Sequence, residues 1–211
     1  DYDIGRSVQQ TTDGGYIVTG STRSFGDGNW DVWLIKTDSQ GNEEWNQTYG
    51  GSGGLDAGSS VQQTTDGGYI IVGVWYYGTC WLIKTDSNGN VEWDQSYRPW
   101  EWATYKGRSV QQTTDGGYIV AGILLNDSNS SLESAFVFKT DSQGNTEWEY
   151  YRVVQVSPGK GLFSVQQTTD GGYVGVGGYF MKIDSGGNDA WSHDDISGNS
   201  VQQTEDGGYI I

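Results

Sequence analysis

The sequence is dominated by one nonapeptide, Val-Gln-Gln-Thr-Thr-Asp-Gly-Gly-Tyr, which occurs at residues 8–16 and returns three times without change. A fifth copy differs only by Glu205, which replaces the second threonine. The later copies span residues 61–69, 110–118, 165–173 and 201–209. Such regular recurrence is typical of a repeat protein, in which each copy belongs to one structural unit that buries its apolar surface against its neighbours.

Each full repeat contains four short runs with strand character, separated by turn signals. In the first repeat, Asp13-Gly14 favours a tight hairpin because this dipeptide accepts the positive φ angles that short hairpins need. Asp38 to Asn42 predicts a second tight turn. No window carries a helical period. The predicted strands of this repeat are residues 7–11, 16–19, 32–36 and 43–48.

Four antiparallel strands in about 50 residues predict an all-β fold, a β-propeller of four-stranded antiparallel blades with four full repeats and a partial fifth. We expect one propeller domain over residues 1–211. The blades are predicted at residues 7–49, 60–99, 109–152 and 164–195, with the partial blade at 200–211. A closed propeller needs whole blades, and residues 1–6 supply at most one strand. We therefore expect the chain to be part of a longer propeller.

The composition restricts the partners. The formal net charge is −16, from 27 acidic and 11 basic residues, which argues against nucleic acids and anionic membranes as partners. The apolar runs are far too short for membrane insertion. Three Asn-x-Ser/Thr sequons favour an extracellular or cell-surface glycoprotein. Their acceptors are Asn46, Asn126 and Asn129.

The turn Asp-x-x-Gly-x-x-x-Trp after a Gly-rich second strand resembles the blades of kelch-type and pyrroloquinoline-quinone-type propellers. The pattern is more similar still to tandem S-V-Q-Q-T-x-D-G-G-Y-I / W-L-I-K-T-D-S-x-G-N-x-x-W repeats in large exported proteins of methanogenic archaea and some bacteria. The resemblance covers the whole chain and implies a surface propeller. It implies no activity, and the quinone cofactor is not carried over, because no residues mark its site. We expect no cofactor.

In a four-stranded meander, the two hairpin turns lie at one end of the blade and the variable connections lie at the other. The repeated turns place many carboxylates at the first end, where they either stabilise the turns or bind a cation such as Ca²⁺. The spacing lacks the alternating aspartates of a calcium loop, so we predict turn stabilisation and no metal site. The turn aspartates are Asp13, Asp66, Asp115, Asp170 and Asp206, then Asp38, Asp86, Asp141 and Asp184.

The variable end is where function usually resides on such scaffolds. Two of its predicted loops, both in the second repeat, are rich in aromatic residues and are expected on the same face. They either form a binding patch for a protein or a glycan, or pack over the edges of the blades. The candidate binding residues are Trp75, Tyr76, Tyr77, Tyr97, Trp100, Trp102 and Tyr105. Residues 124–133 are predicted to form a flexible loop that carries two of the sequons.

The sequence holds no catalytic or metal-binding motif. His193 is the only histidine, and Cys80, the only cysteine, is predicted to be a buried apolar residue. We therefore expect no enzyme, and predict an extracellular or cell-surface propeller that serves as a structural or adhesive module for other surface proteins or copies of itself. The alternative is a carbohydrate-binding propeller that uses the aromatic loops of the second blade. A polysaccharide-active enzyme is the third reading, because carboxylate pairs are numerous.

Overall fold

The computed structural model describes residues 2–27, 29–76, 78–101, 103–126, 129–153 and 161–211. Its regular structure consists of strands, and these residues contain no helix that is long and apolar enough to cross a membrane. The chain divides into two compact units, unit 1 (Asp1–Pro99) and unit 2 (Trp100–Ile211). The expectation of a single propeller domain that is part of a longer propeller stays a prediction.

Unit 1 contains two four-stranded antiparallel sheets, each with its strands in chain order. Sheet 1 consists of β1 Ile4–Gln10, β2 Tyr16–Thr22, β3 Asp31–Thr37 and β4 Glu43–Tyr49. Sheet 2 consists of β5 Ala57–Gln63, β6 Tyr69–Trp75, β7 Thr79–Thr85 and β8 Val91–Tyr97.

Unit 2 contains two further sheets of the same topology and one hairpin. Sheet 3 consists of β9 Ala103–Gln112, β10 Tyr118–Asn126, β11 Asn129–Thr140 and β12 Thr146–Val153. Sheet 4 consists of β13 Leu162–Gln167, β14 Tyr173–Gly177, β15 Phe180–Ile183 and β16 Asp189–His193. The C-terminal hairpin consists of β17 Gln202–Gln203 and β18 Tyr209–Ile210. The all-β class and the repeated four-stranded antiparallel unit are thus confirmed.

The first strand of each sheet begins earlier than the sequence pattern predicts. β1 already includes Ile4, so the segment before Ser7 extends the first strand and does not form a separate one. The register shifts between Gly5 and Ser7, and this irregularity hides the alternation on which the prediction relied. Gly20 lies opposite, where a Cβ would lie 1.8 Å from the carbonyl oxygen of Ile4, so the close approach of the two strands requires glycine there.

A buried lysine joins the two hairpins within each of the first three sheets. In sheet 1, Lys36 is 3% exposed, and its Nζ lies 2.9 Å from Asp13 and 2.8 Å from Glu44. The ammonium group also donates to the carbonyl oxygen of Thr37. Because Asp13 belongs to the first turn and Glu44 to β4, one cation connects the first turn to the last strand. Lys84 and Lys139 repeat the arrangement.

The two glycines of the nonapeptide have separate functions. The first adopts a positive φ, +87° at Gly67, which the hairpin turn needs. The second leaves room for the buried lysine, because a Cβ on Gly68 would lie 2.1 Å from the carbonyl oxygen of Thr85 and 2.7 Å from Nζ of Lys84. The Asp-Gly-Gly sequence therefore encodes a turn together with the ion pair behind it.

Neighbouring sheets of one unit pack face to face. In unit 1, Ile17 and Leu34 of sheet 1 and Ile71 and Ile83 of sheet 2 belong to one apolar cluster. Within the units, three outer tryptophans contact the tyrosine that ends the nonapeptide of the next repeat: Trp45 contacts Tyr69, Trp148 contacts Tyr173 and Trp191 contacts Tyr209. The tyrosine is thus a packing residue, and so is Cys80, which is buried in β7 as predicted.

The prediction of a flexible loop at residues 124–133 is wrong for the residues of that segment that the structure describes. β10 continues to Asn126 and β11 begins at Asn129, with Leu125 opposite Glu133. The polar composition suggested a loop, but Ile123 and Leu124 are buried and extend the sheet. Residues 127–128 lie outside the described residues.

We predict that Gly68→Ala lowers the free energy of unfolding by about 1–3 kcal/mol, as expected when a side chain is forced into a packed site. Gly51→Ala is the control, since a Cβ there would have no atom within 4 Å, and we expect a change below about 0.5 kcal/mol. Urea denaturation of both variants measures the difference. Equal effects of the two substitutions would contradict the steric function of Gly68.

Candidate functional site

The turn aspartates are engaged in holding their own turns. Oδ1 of Asp38 accepts hydrogen bonds from the backbone N–H groups of Gln40 and Asn42, both at 2.9 Å, and Oδ2 accepts from the Asn42 side chain. The Asn42 side chain and backbone bonds lower the pKa of Asp38. In this turn the aspartate therefore stabilises the turn, which is the first of the two functions considered for the turn aspartates. The part of the chain that the structure describes contains no group of three or more His, Cys, Asp or Glu side chains placed to hold a metal ion.

A cleft of about 260 Å³ opens in unit 1 between the glycine-rich linker that follows sheet 1 and the end of β6. Trp75 and Tyr76 are 38% and 39% exposed at this cleft. The ring of Trp75 lies 5.8 Å from that of Trp81, which supports it from within the sheet. The cleft is lined by Gly51, Ser52, Gly53, Gly54, Asp56, Trp75 and Tyr76.

One buried carboxylate connects the two walls of this cleft. Asp56 is fully buried, and its Oδ1 accepts a hydrogen bond of 2.9 Å from the backbone N–H of Tyr76. The backbone N–H of Gly51, in the linker, also acts on this carboxylate and lowers its pKa. The backbone N–H of Asp56 in turn donates to the carbonyl oxygen of Trp30. Asp56 is therefore the positioning residue that holds the linker against the end of β6.

A second buried carboxylate lies beside the first. Asp31 is 2% exposed, and its Oδ2 accepts from the backbone N–H of Asp27. A Cβ on Gly50 would lie 2.2 Å from Oδ1 of Asp31 and 2.8 Å from Oδ2 of Asp56, so those two oxygens lie within about 5 Å of each other. Oδ2 of Asp56 is buried and has no hydrogen-bond partner in the structure. Burial, and then the charge of Asp31, raise the pKa of Asp56.

The equivalent aspartate of the first repeat shows what burial changes. Asp3 stands four residues before Ser7, as Asp56 stands four residues before Ser60. Asp3 also accepts from the segment after the second strand, at the backbone N–H of Arg23. Its carboxylate is exposed, and hydrogen bonds from the hydroxyls of Thr22 and Ser24 lower its pKa to about 2. The pKa of Asp56 moves in the opposite direction because desolvation outweighs its two backbone bonds.

The structure places the predicted aromatic residues in different environments. Trp75 and Tyr76 line the cleft of unit 1, whereas Tyr97 is half-buried at the end of β8. Tyr77 and Trp102 lie outside the described residues. Trp100 belongs to unit 2, where its ring lies 4.6 Å from that of Tyr151.

Tyr105 is a correction to the predicted binding residues. It is 1% exposed, and its ring lies 5.5 Å from that of Phe136. The sequence pattern places it in a loop, but β9 already begins at Ala103, so Tyr105 alternates inward with Ala103 and Gly107. For Tyr105 the packing alternative therefore holds.

The predicted glycosylation acceptors lie on strands. Asn46 lies within β4, where its Nδ2 donates to Glu43 at 2.6 Å. Asn126 ends β10 and Asn129 begins β11. Their modification stays a prediction.

The sequence does not predict a function for Asp31, Asp56 or the cleft, because residues 50–59 lie between the predicted blades at residues 7–49 and 60–99. A signal was present in the sequence. Asp3-Ile-Gly-Arg-Ser7 and Asp56-Ala-Gly-Ser-Ser60 share the pattern Asp-x-Gly-x-Ser before the repeated motif.

Comparison with known proteins gives no match to any protein-family model, and no curated protein matches significantly. The resemblance to exported repeat proteins therefore remains a prediction from the motifs.

We predict that Asp56→Asn stabilises the protein at neutral pH and that Asp56→Ala destabilises it. Asparagine keeps an acceptor for Tyr76 and removes a buried charge, whereas alanine leaves the backbone N–H of Tyr76 without its acceptor. Because the folded-state pKa of Asp56 is raised above 3.8, its contribution to stability is greatest below that value and declines as the pH rises through the folded pKa.

The advantage of Asp56→Asn over the wild type should therefore grow from about pH 4 to about pH 7. Thermal unfolding of the two proteins across this range measures it. The same substitution at Asp3, whose pKa is lowered to about 2, is the control: its effect on stability should change little from about pH 4 to about pH 7. An advantage of Asp56→Asn that does not change with pH would contradict a raised pKa.

Proposed function

We propose that the protein is a non-enzymatic interaction module, built from β-propeller blades, that serves structure or adhesion outside the cell or on its surface. The strands and repeated turns form a scaffold whose polar groups are occupied in holding it together. Lys36, Lys84 and Lys139 each bind two acids, and the Asp38-type carboxylates bind their own turns. What is left for recognition is the variable end of the sheets.

The single observation that carries this proposal is the exposed aromatic pair at the cleft of unit 1. Trp75 and Tyr76 expose more than a third of their surface, and both are fixed in place, Trp75 by its contact with Trp81 and Tyr76 by its backbone bond to Asp56. Rigid aromatic side chains supply large contact areas at a low entropic cost, and they are enriched at the centres of binding sites. A partner that covers these two rings gains most of the binding energy available at this site.

Carbohydrate recognition is the second candidate, and the shape of the same cleft favours it. A volume of about 260 Å³ lies near the lower limit of small-ligand sites, about 300–1,000 Å³, and suits a short saccharide better than a long segment of protein. The rings of Trp75 and Tyr76 offer apolar faces for a sugar ring. The backbone of the glycine-rich wall offers polar groups without side chains in the way.

A glycan array probed with the wild type and with Trp75→Ala separates these candidates. Carbohydrate recognition predicts binding to a defined set of glycans, with a loss of at least about tenfold in the variant, because a hot-spot aromatic contributes about 2 kcal/mol or more. Phe25→Ala is the matched control. Phe25 is also an exposed aromatic residue of unit 1, at 49%, but it stacks on Trp33 and does not line the cleft.

Equal losses in Trp75→Ala and Phe25→Ala would contradict a specific site at the cleft. If the wild type binds no glycan on the array, carbohydrate is rejected as the ligand, and the proposal of a protein partner is favoured. Turnover of any arrayed glycan by the purified protein would overturn the non-enzymatic proposal itself.

A further inference from the structure

Two acidic side chains of unit 1 lie side by side where the first repeat meets the second. Trp30 and Leu55 form an isolated parallel bridge, and the backbone N–H of Asp56 donates to the carbonyl oxygen of Trp30 at 2.8 Å. The residues that follow the bridged pair, Asp31 and Asp56, are therefore neighbours. Asp31 begins β3, and Asp56 immediately precedes β5.

Both carboxylates are removed from water and face the same space. Asp31 is 2% exposed and Asp56 is fully buried. A Cβ on Gly50 would lie 2.2 Å from Oδ1 of Asp31 and 2.8 Å from Oδ2 of Asp56, so both oxygens face the space beside Gly50. Oδ2 of Asp56 is buried and has no hydrogen-bond partner in the structure. Because burial of a carboxylate oxygen without a partner is costly, this atom points to a ligand in that space.

The scaffold shows how this chain neutralises two neighbouring acids elsewhere. In sheet 1, Asp13 and Glu44 share the buried ammonium group of Lys36, and the next two sheets repeat this arrangement. Among the residues that the structure describes, no lysine or arginine forms an ion pair with Asp31 or Asp56. This pair of acids therefore lacks the cation that the equivalent pairs of the scaffold have.

Glycines let the backbone approach the two carboxylates closely. A Cβ on Gly26 would lie 2.0 Å from Oδ2 of Asp31, and a Cβ on Gly54 would lie 2.6 Å from Oδ1 of Asp56. Together with Gly50, these residues surround the pair with backbone groups and no side chains. Such surroundings suit a bare ion better than the long side chain of a lysine.

The carboxylate of Asp31 is particular to this position in the first repeat. Counted from the buried lysine, the equivalent residues of sheets 2 and 3 are Thr79 and Ser134. Both are buried, so the sheet forms equally well with an uncharged side chain at this position. The fold itself therefore does not require an acid at residue 31, whereas a cation between Asp31 and Asp56 gives a reason for it.

We propose that Asp31 and Asp56 bind one Ca²⁺ ion, through Oδ1 of Asp31 and Oδ2 of Asp56. The two oxygens lie within about 5 Å of each other, which allows both to reach one ion at the usual Ca²⁺–oxygen distance of about 2.3–2.6 Å. The pair supplies two acidic ligands, so backbone carbonyl oxygens and water complete the site. Ca²⁺ accepts such flexible, all-oxygen coordination, whereas Mg²⁺ demands a near-ideal octahedron and gives up its water reluctantly.

The ion would join the start of β3 to the glycine-rich linker. Asp56 holds Tyr76 through its other oxygen, Oδ1, so the ion on Oδ2 leaves this hydrogen bond in place. Binding of Ca²⁺ is therefore independent of any ligand in the cleft of unit 1. The higher stability expected of Asp56→Asn at neutral pH applies to the metal-free protein.

Thermal unfolding at neutral pH, in a chelator and in about 10 mM Ca²⁺, tests the proposal. For a dissociation constant of about 0.1–1 mM, Ca²⁺ should raise the melting temperature of the wild type by at least about 2 °C. Asp31→Asn and Asp56→Asn should show no rise, because each loses one of the two acidic ligands. Asp3→Asn removes the exposed equivalent of Asp56 and is the control, which should respond like the wild type.

The same experiment with Mg²⁺ at equal ionic strength separates a site from general screening, since a chain of net charge −16 attracts any cation. Mg²⁺ should raise the melting temperature by less than half as much as Ca²⁺. A wild type that does not respond to Ca²⁺ would overturn the proposal and leave the two acids to share a proton. Equal rises in the wild type and both variants, or equal rises with both cations, would also overturn it.

Discussion

The architecture depends on one constraint, which is that a four-stranded sheet with two apolar faces is not stable in water by itself. Within unit 1, the inner strands carry apolar side chains on both faces, as in β7, where Cys80, Leu82 and Ile83 are all at most 1% exposed. Burial of such surface is the largest favourable term in folding, so every sheet requires a neighbour. The nonapeptide and the serine that precedes it meet this requirement, because they supply the serine, the glutamines, the valine and the tyrosine that receive or contact the adjacent repeat.

The same motif also fixes the inside of each sheet. Its aspartate shares a buried lysine with a glutamate of the last strand, and its second glycine leaves space for that lysine. In sheet 4 the lysine has only one of these two acidic partners. Ala190 stands at the position of the glutamate, and Lys182 forms its ion pair with Asp170. Since nearly every side chain of the motif is engaged in this way, the motif is a scaffold. Differences between repeats, such as the cleft beside Asp56, are the places where recognition can arise.

The strands and turns were predictable because their signals are local. Alternation in residues 7–11 and the dipeptide Asp13-Gly14 act over a few residues, and the antiparallel meander follows from short turns. The early start of β1 was not predictable, since the irregularity at Gly5 breaks the alternation. The burial of Tyr105 and the role of Asp56 depend on tertiary register: Asp56 bonds a backbone N–H twenty residues away, at Tyr76. The charge of an aspartate favours a solvated side chain, and only the packing around Asp56 shows that this one is buried.

Amide hydrogen exchange at equivalent positions of the repeats tests most directly whether the motif is the contact between repeats. The backbone N–H of Gln63, Gln167 and Gln203 each donates to a glutamine of the preceding repeat, and that of Gln10 has no such acceptor among the described residues. We expect Gln10 to exchange rapidly and the other three slowly. Rapid exchange at Gln63 and Gln167, or protection of Gln10 equal to theirs, would contradict this account.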